Sequence, residues 1–137
     1  MSRKERYSCT ITRDEDGRVL AITVDATDLE EGQRRVRVNG TRAARIAGPL
    51  HDVLRAGGVT GRAWTAARPI TLDQVRGAQV ELLLRAVKPL QRGDRIDRIA
   101  EAIAAMSREE ASYWHAKSTR PGGLRALRIL LTAGRAR

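Results

Sequence analysis

Aromatic side chains are scarce in this chain of 137 residues. They make up 3% of it, and phenylalanine is absent. A core must therefore be built from Ala, Val, Ile and Leu, with single aromatics acting as isolated anchors or as exposed tools. There is one cysteine, Cys9, which excludes an internal disulfide. The only two histidines, His51 and His115, are too few and too far apart to supply the three or four close-spaced ligands a metal site needs. No run approaches the roughly 18 apolar residues of a membrane span, and "MSRKERYSCT" holds no apolar stretch to act as a signal peptide. The expectation from these absences is a cytoplasmic protein, clear of the membrane and without a metal or cofactor. They are also compatible with work inside a larger complex.

Acidic residues run out along the chain. Residues 1–40 carry eight basic and eight acidic side chains, whereas nothing acidic follows Glu110. Lys117, Arg120, Arg125, Arg128, Arg135 and Arg137 lie beyond it, and the net charge is +10. Such asymmetry suits an anionic partner, either nucleic acid or an acidic protein surface. A competing explanation is compositional. Arg outnumbers Lys 23 to 3, and a GC-rich genome yields that ratio with no functional demand.

The length suits one domain over 1–137, with a β-rich part at 1–40 and a helical part at 41–137. In "RYSCTITRD", Tyr7, Cys9 and Ile11 alternate with polar residues, the period of a half-buried strand. "RVLAITVDA" repeats the pattern with Leu20, Ile22 and Val24 on one face, and Asp16-Gly17 between them suits a hairpin turn. "RRVRVNG" reads as a third strand, with Val36 and Val38 inward and Arg34 and Arg35 among solvated charges. Helices are expected over "TRAARIAGPLHDVLRAGG", kinked or divided at Pro49, and over "TLDQVRGAQVELLLRAVKPL", where Thr71 and Gln74 match a capping box. Further helices follow, starting at Asp94 as N-cap, at Ser107 with Glu110 as a capping box, and after Pro121-Gly122-Gly123, where Leu124, Leu127, Leu130 and Leu131 face inward. Strands first and helices after give an α+β fold: an N-terminal antiparallel β-hairpin or small three-stranded sheet packed on a C-terminal bundle of four to five helices.

No catalytic constellation assembles. Tyr113 and Lys117 spell the Y-x-x-x-K pair of the short-chain dehydrogenases, but that chemistry needs a glycine-rich nucleotide-binding turn this chain lacks. "DEDG" falls short of a calcium loop, and Cys9 in mid-strand reads as a buried, inert thiol. The pair of segments 94–106 and 107–118 invites a helix-turn-helix reading. However, Glu109 and Glu110 stand where the reading helix would meet phosphates. Trp114 reads as a core anchor or as a base-stacking residue, and Trp64 as a plug between sheet and helices.

The segments "LLLRAVKPL", "RIDRIAEAIAAMSREEASYWHAK" and "RALRILL" occur in the order found in a small family of uncharacterised bacterial proteins, which the chain resembles over roughly residues 71–131. The core of the resemblance is MSxEEAxYWxAK, here Met106 to Lys117. It implies no catalytic residue, and it implies a setting in gene clusters for defence against phage.

The expectation is thus a non-enzymatic binding or accessory protein. Lys117, Arg120, Arg125 and Arg128 would supply charge to nucleic acid or to an acidic partner subunit, with Trp114 and His115 stacking or bracing the turn. The alternative is a structural or assembly subunit, pairing with itself or with a larger complex without touching nucleic acid.

Overall fold

A computed structural model describes residues 5–28, 32–59, 69–89 and 95–133. Trp64 and the expected cap Asp94 lie outside them. Among the described residues the chain forms β1 (Glu5–Arg13), β2 (Val19–Asp28), β3 (Gly32–Asn39), α1 (Gly40–Ala56), β4 (Ile70–Leu72), α2 (Gln74–Val87), α3 (Ile96–Ala104), α4 (Arg108–Ser118) and α5 (Gly123–Ala133). The architecture is α+β: an antiparallel sheet of order β3-β2-β1-β4, packed on five helices.

The hairpin turns where the sequence places it. Gly17 takes φ +83°, and the Asp14 carboxylate accepts the backbone N–H groups of Asp16 and Arg18, both at 2.9 Å. Tyr7 and Cys9 of β1, Ile22, Val24 and Ala26 of β2, and Val36 and Val38 of β3 then line one buried face. Leu20 does not join them. A bulge pairs Thr12 with Ala21 but Arg13 with Val19, so Leu20 is the extra residue and stands 46% exposed. Val19 takes its place against the core.

The sheet has four strands rather than two or three, because Ile70 and Leu72 pair with Cys9 and Tyr7. Thr71 therefore belongs to β4, and α2 is capped differently from expectation: the Asp73 side chain accepts the N–H of Arg76 at 2.7 Å. α1 runs unbroken through Pro49. It ends at Gly57-Gly58 in a Schellman turn, with Gly58 N–H bonded to Arg55 O and Val59 N–H to Leu54 O, both at 3.0 Å.

α1 buries Ala43, Ile46, Leu50, Val53 and Leu54 against the sheet. α2 is the central helix. It contacts the sheet and every other helix, so it is buried almost all round, from Gly77 to Leu84 and at Ala86 and Val87. One polar residue on it fastens a neighbour: Gln79 donates to the carbonyls of Ile103 and Ala104, at 2.9 and 2.8 Å, satisfying the C-terminal end of α3. On α5, Leu127 and Leu131 are buried, but Leu130 is 48% exposed, against the inward position expected of it.

Candidate functional site

α4 begins at the expected capping box. Ser107 Oγ accepts the N–H of Glu110 at 3.1 Å, and the Glu110 carboxylate reaches back to the N–H of Ser107. Glu109 and Glu110 in its first turn and His115 and Lys117 in its last complement the helix dipole. The end of α4 is closed by its own hydroxyls. Ser118 Oγ donates to His115 O, Thr119 Oγ1 to Ala116 O, both at 2.8 Å, and the N–H of Arg120 to Lys117 O. Three of the last carbonyls of α4 are thereby satisfied. The chain then reverses through Gly122, at φ +78°, and Gly123, which lies so close to Lys117 O that a Cβ there would collide with it.

This reversal leaves a cleft of about 490 Å³ lined by Tyr113, Ala116, Lys117, Arg120, Pro121, Gly122 and Gly123. Tyr113 is 57% exposed. Its ring meets the half-buried Trp114 edge-on, with centroids 5.2 Å apart and planes at 85°. Lys117 Nζ lies 5.5 Å from the Tyr113 centroid and 5.0 Å from that of Trp114, and donates to the Tyr113 hydroxyl at 3.4 Å. No carboxylate lines the cleft, and neither Lys117 nor Arg120 has an ion-pair partner among the described residues.

The six residues singled out in the sequence do not form one surface. Lys117 and Arg120 share the cleft, and Trp114 braces it from the core side. Arg125 borders a separate, apolar groove of about 240 Å³, with Ala86, Pro89, Ile99, Leu124 and Leu131. Arg128 lies on α5. His115 turns inward, where its Nε2 lies 3.2 Å from Glu81 Oε2, within ion-pair range but not aligned as a hydrogen bond.

His115 thus joins a buried charge cluster that sequence reasoning missed. Its centre is Glu81 on α2, with a side chain 1% exposed. Arg34 reaches Glu81 at 3.0 Å and also pairs with Glu5, so its place is on the inner face with Val36 and Val38, not among solvated charges. Arg85 Nε donates to Glu81 Oε2 at 2.8 Å. Burial works against the charge on Glu81, but the close contact of His115 and the hydrogen bonds and attraction of Arg34 outweigh it and hold the carboxyl at about 2. Burial likewise opposes the charge on Arg34, and its bonds to Glu81 and Glu5 prevail, raising its pKa. Burial, with the carboxylate of Glu5 nearby, pushes the Tyr7 phenol above its ordinary range. Glu81 is therefore locked as an anion between cations, an arrangement suited to fastening α2, α4 and the sheet together. Two signals pointed to it: the i,i+4 spacing of Glu81 and Arg85, and Arg34 sharing the alternation of Val36 and Val38.

Among the described residues no group of three or more His, Cys, Asp or Glu could hold a metal ion. No helix among them is long and apolar enough to cross a membrane.

A family model described as a domain of unknown function, DUF7680, matches residues 7–133, which takes in the sheet from Tyr7 onward, the charge cluster apart from Glu5, and the cleft. The chain belongs to the DUF7680 family. No curated protein and no solved structure matches it. The DUF7680 region closes at the end of α5, so both helices of the cleft fall inside it.

Proposed function

We propose that this protein is a non-enzymatic binding or accessory subunit that contacts nucleic acid through the cleft between α4 and α5. The observation that carries this reading is the pairing of Lys117 and Arg120, both without an ion-pair partner among the described residues, with the exposed ring of Tyr113. They stand in a stretch where no acid follows Glu110, in a chain of net charge +10. Cations position phosphates and aromatic rings accept bases. An acidic protein surface would answer to the cations alone and leave the open Tyr113 ring without a role. The resemblance over Met106 to Lys117 favours a setting in bacterial defence against phage, and the lone buried thiol of Cys9 suits the reducing cytoplasm.

The test is binding of the purified protein to single-stranded DNA, duplex DNA and RNA at two salt concentrations. Affinity should fall steeply with salt as counterions are released. Lys117→Ala with Arg120→Ala should lower the slope by about one for each phosphate no longer neutralised. Absence of binding at low salt overturns the reading.

A second reading is an assembly subunit. It is favoured by Ile129 and Leu130, 57% and 48% exposed on α5, the helix that also gives Leu124 and Leu131 to the apolar groove. A stable dimer that ignores the charge substitutions would support it.

A further inference from the structure

Granted the nucleic-acid reading above, the shape of the cleft bears on which form of nucleic acid enters. We infer that the cleft takes one unpaired nucleobase against the exposed ring of Tyr113, with the adjoining phosphate at Lys117 and Arg120, and therefore selects single strands over duplex.

Three observations converge on this. The first is shape. A helix that reads duplex DNA stands proud and enters the major groove. Here the cations line a concavity made by a chain reversal, and its volume of about 490 Å³ falls within the range of small-ligand pockets. A single nucleotide is an object of that scale, whereas a duplex presents its bases edge-on inside a stack and cannot offer one to a cleft. The second is the fixing of the ring. Tyr113 packs at right angles to the ring of Trp114, and its hydroxyl accepts from Lys117 Nζ, which also lies over one face of the Tyr113 ring. The aromatic platform is thus set in place before a base arrives, and the same lysine lies over the ring toward its hydroxyl, so a base takes the other face and its phosphate passes close to that ammonium. The third is charge. The exposed carboxylates of Glu109 and Glu110 occupy the first turn of α4, and Lys117 and Arg120 lie at and beyond its other end. A rod-like polyanion laid along α4 would meet both acids, but a strand turning into the cleft at its C-terminal end meets Lys117 and Arg120 and no carboxylate among the lining residues.

The test compares a labelled single-stranded DNA oligonucleotide with the duplex of the same sequence, by fluorescence anisotropy on the full chain. Circular dichroism confirms folding of each variant. Tyr113 is exposed, so its replacement leaves the core intact. The expected result is tighter binding of the single strand, a loss of roughly tenfold to a hundredfold in single-strand affinity for Tyr113→Ala, recovery of most of it in Tyr113→Phe, and little change in duplex affinity. Equal affinity for both forms, weakened by Lys117→Ala with Arg120→Ala but untouched by Tyr113→Ala, overturns the stacking inference and leaves the proposed function standing. Binding to neither form at low salt overturns both.

Discussion

Gly77 of α2 lies directly against the ring of Tyr7 in β1, so close that a Cβ at position 77 would overlap the tyrosine's Cβ, Cγ and Cδ2. The central helix and the sheet therefore approach as nearly as two backbones can with one aromatic ring between them. Gly77→Ala tests this contact with a sign reversal. Helix propensity alone favours alanine by about 1 kcal/mol. Overpacking at Tyr7 opposes it with about 1–3 kcal/mol. The expected outcome is a net loss of stability in urea unfolding, partly recovered when Tyr7→Leu is added. A gain of stability in the single variant would show that the ring moves aside freely.

Glu81 should be the most sensitive polar position in the chain. Glu81→Gln leaves Arg34 and Arg85 facing a neutral amide in a buried site, and removing one partner of a buried pair costs about 3–5 kcal/mol. The exposed pair of Arg55 and Asp52, at 3.3 Å, provides the contrast. Arg55→Ala should shift stability by no more than about 0.5 kcal/mol. Urea midpoints of the two variants, measured side by side, check the difference.

The same carboxylate predicts how the fold responds to acid. Its pKa is held at about 2 in the folded protein, against about 4.3 for a free glutamate. A depressed carboxyl stabilises the fold fully above its unfolded pKa, and that contribution is lost as pH falls toward the folded value. Stability should therefore decline from about pH 5 down to about pH 2. The decline should be shallower in Glu81→Gln. Identical acid slopes in the two proteins would assign the decline to other groups.

The thiol of Cys9 is fully buried in the sheet, and burial pushes its pKa up to about 12. A maleimide at neutral pH should label the folded protein only through global opening, and label it completely in urea. Rapid native labelling would mean that β1 separates from β2 or β4 far below the global unfolding free energy.

What was legible in the sequence was local. Strand alternation through Tyr7, Cys9 and Ile11, the Asp16-Gly17 turn and the Ser107–Glu110 box each depend on neighbours within a few residues, and each is present as read. The misplacements arise where a distant segment decides. Leu20 turns outward because β1 and β2 slip by one residue beyond Thr12, which is a property of the pairing. β4 is three residues long and exists only as a partner of β1. Arg34 follows the inward alternation of its own strand, yet its charge argued for solvent until Glu5 and Glu81 supplied partners from elsewhere in the chain. The candidate site was half legible. Tyr113 and Lys117 meet by helical spacing alone, whereas the reversal at Gly122-Gly123 separates Arg125 from Arg120, and His115 turns inward against Glu81, a residue of a different helix.

The charge cluster also bears on the order of assembly. Glu5, Arg34, Glu81 and His115 come from positions spread over most of the chain. Closing the large loops between them costs entropy before any long-range ion pair is gained, and until Arg34 arrives Glu81 has only Arg85 of its own helix to offset a charge entering an apolar interior. Compact intermediates that lack β3 are thereby penalised, and the docking of that strand completes the neutralisation. An anion at the centre of an aliphatic core makes partial folding costly, and so makes the transition more nearly all-or-none.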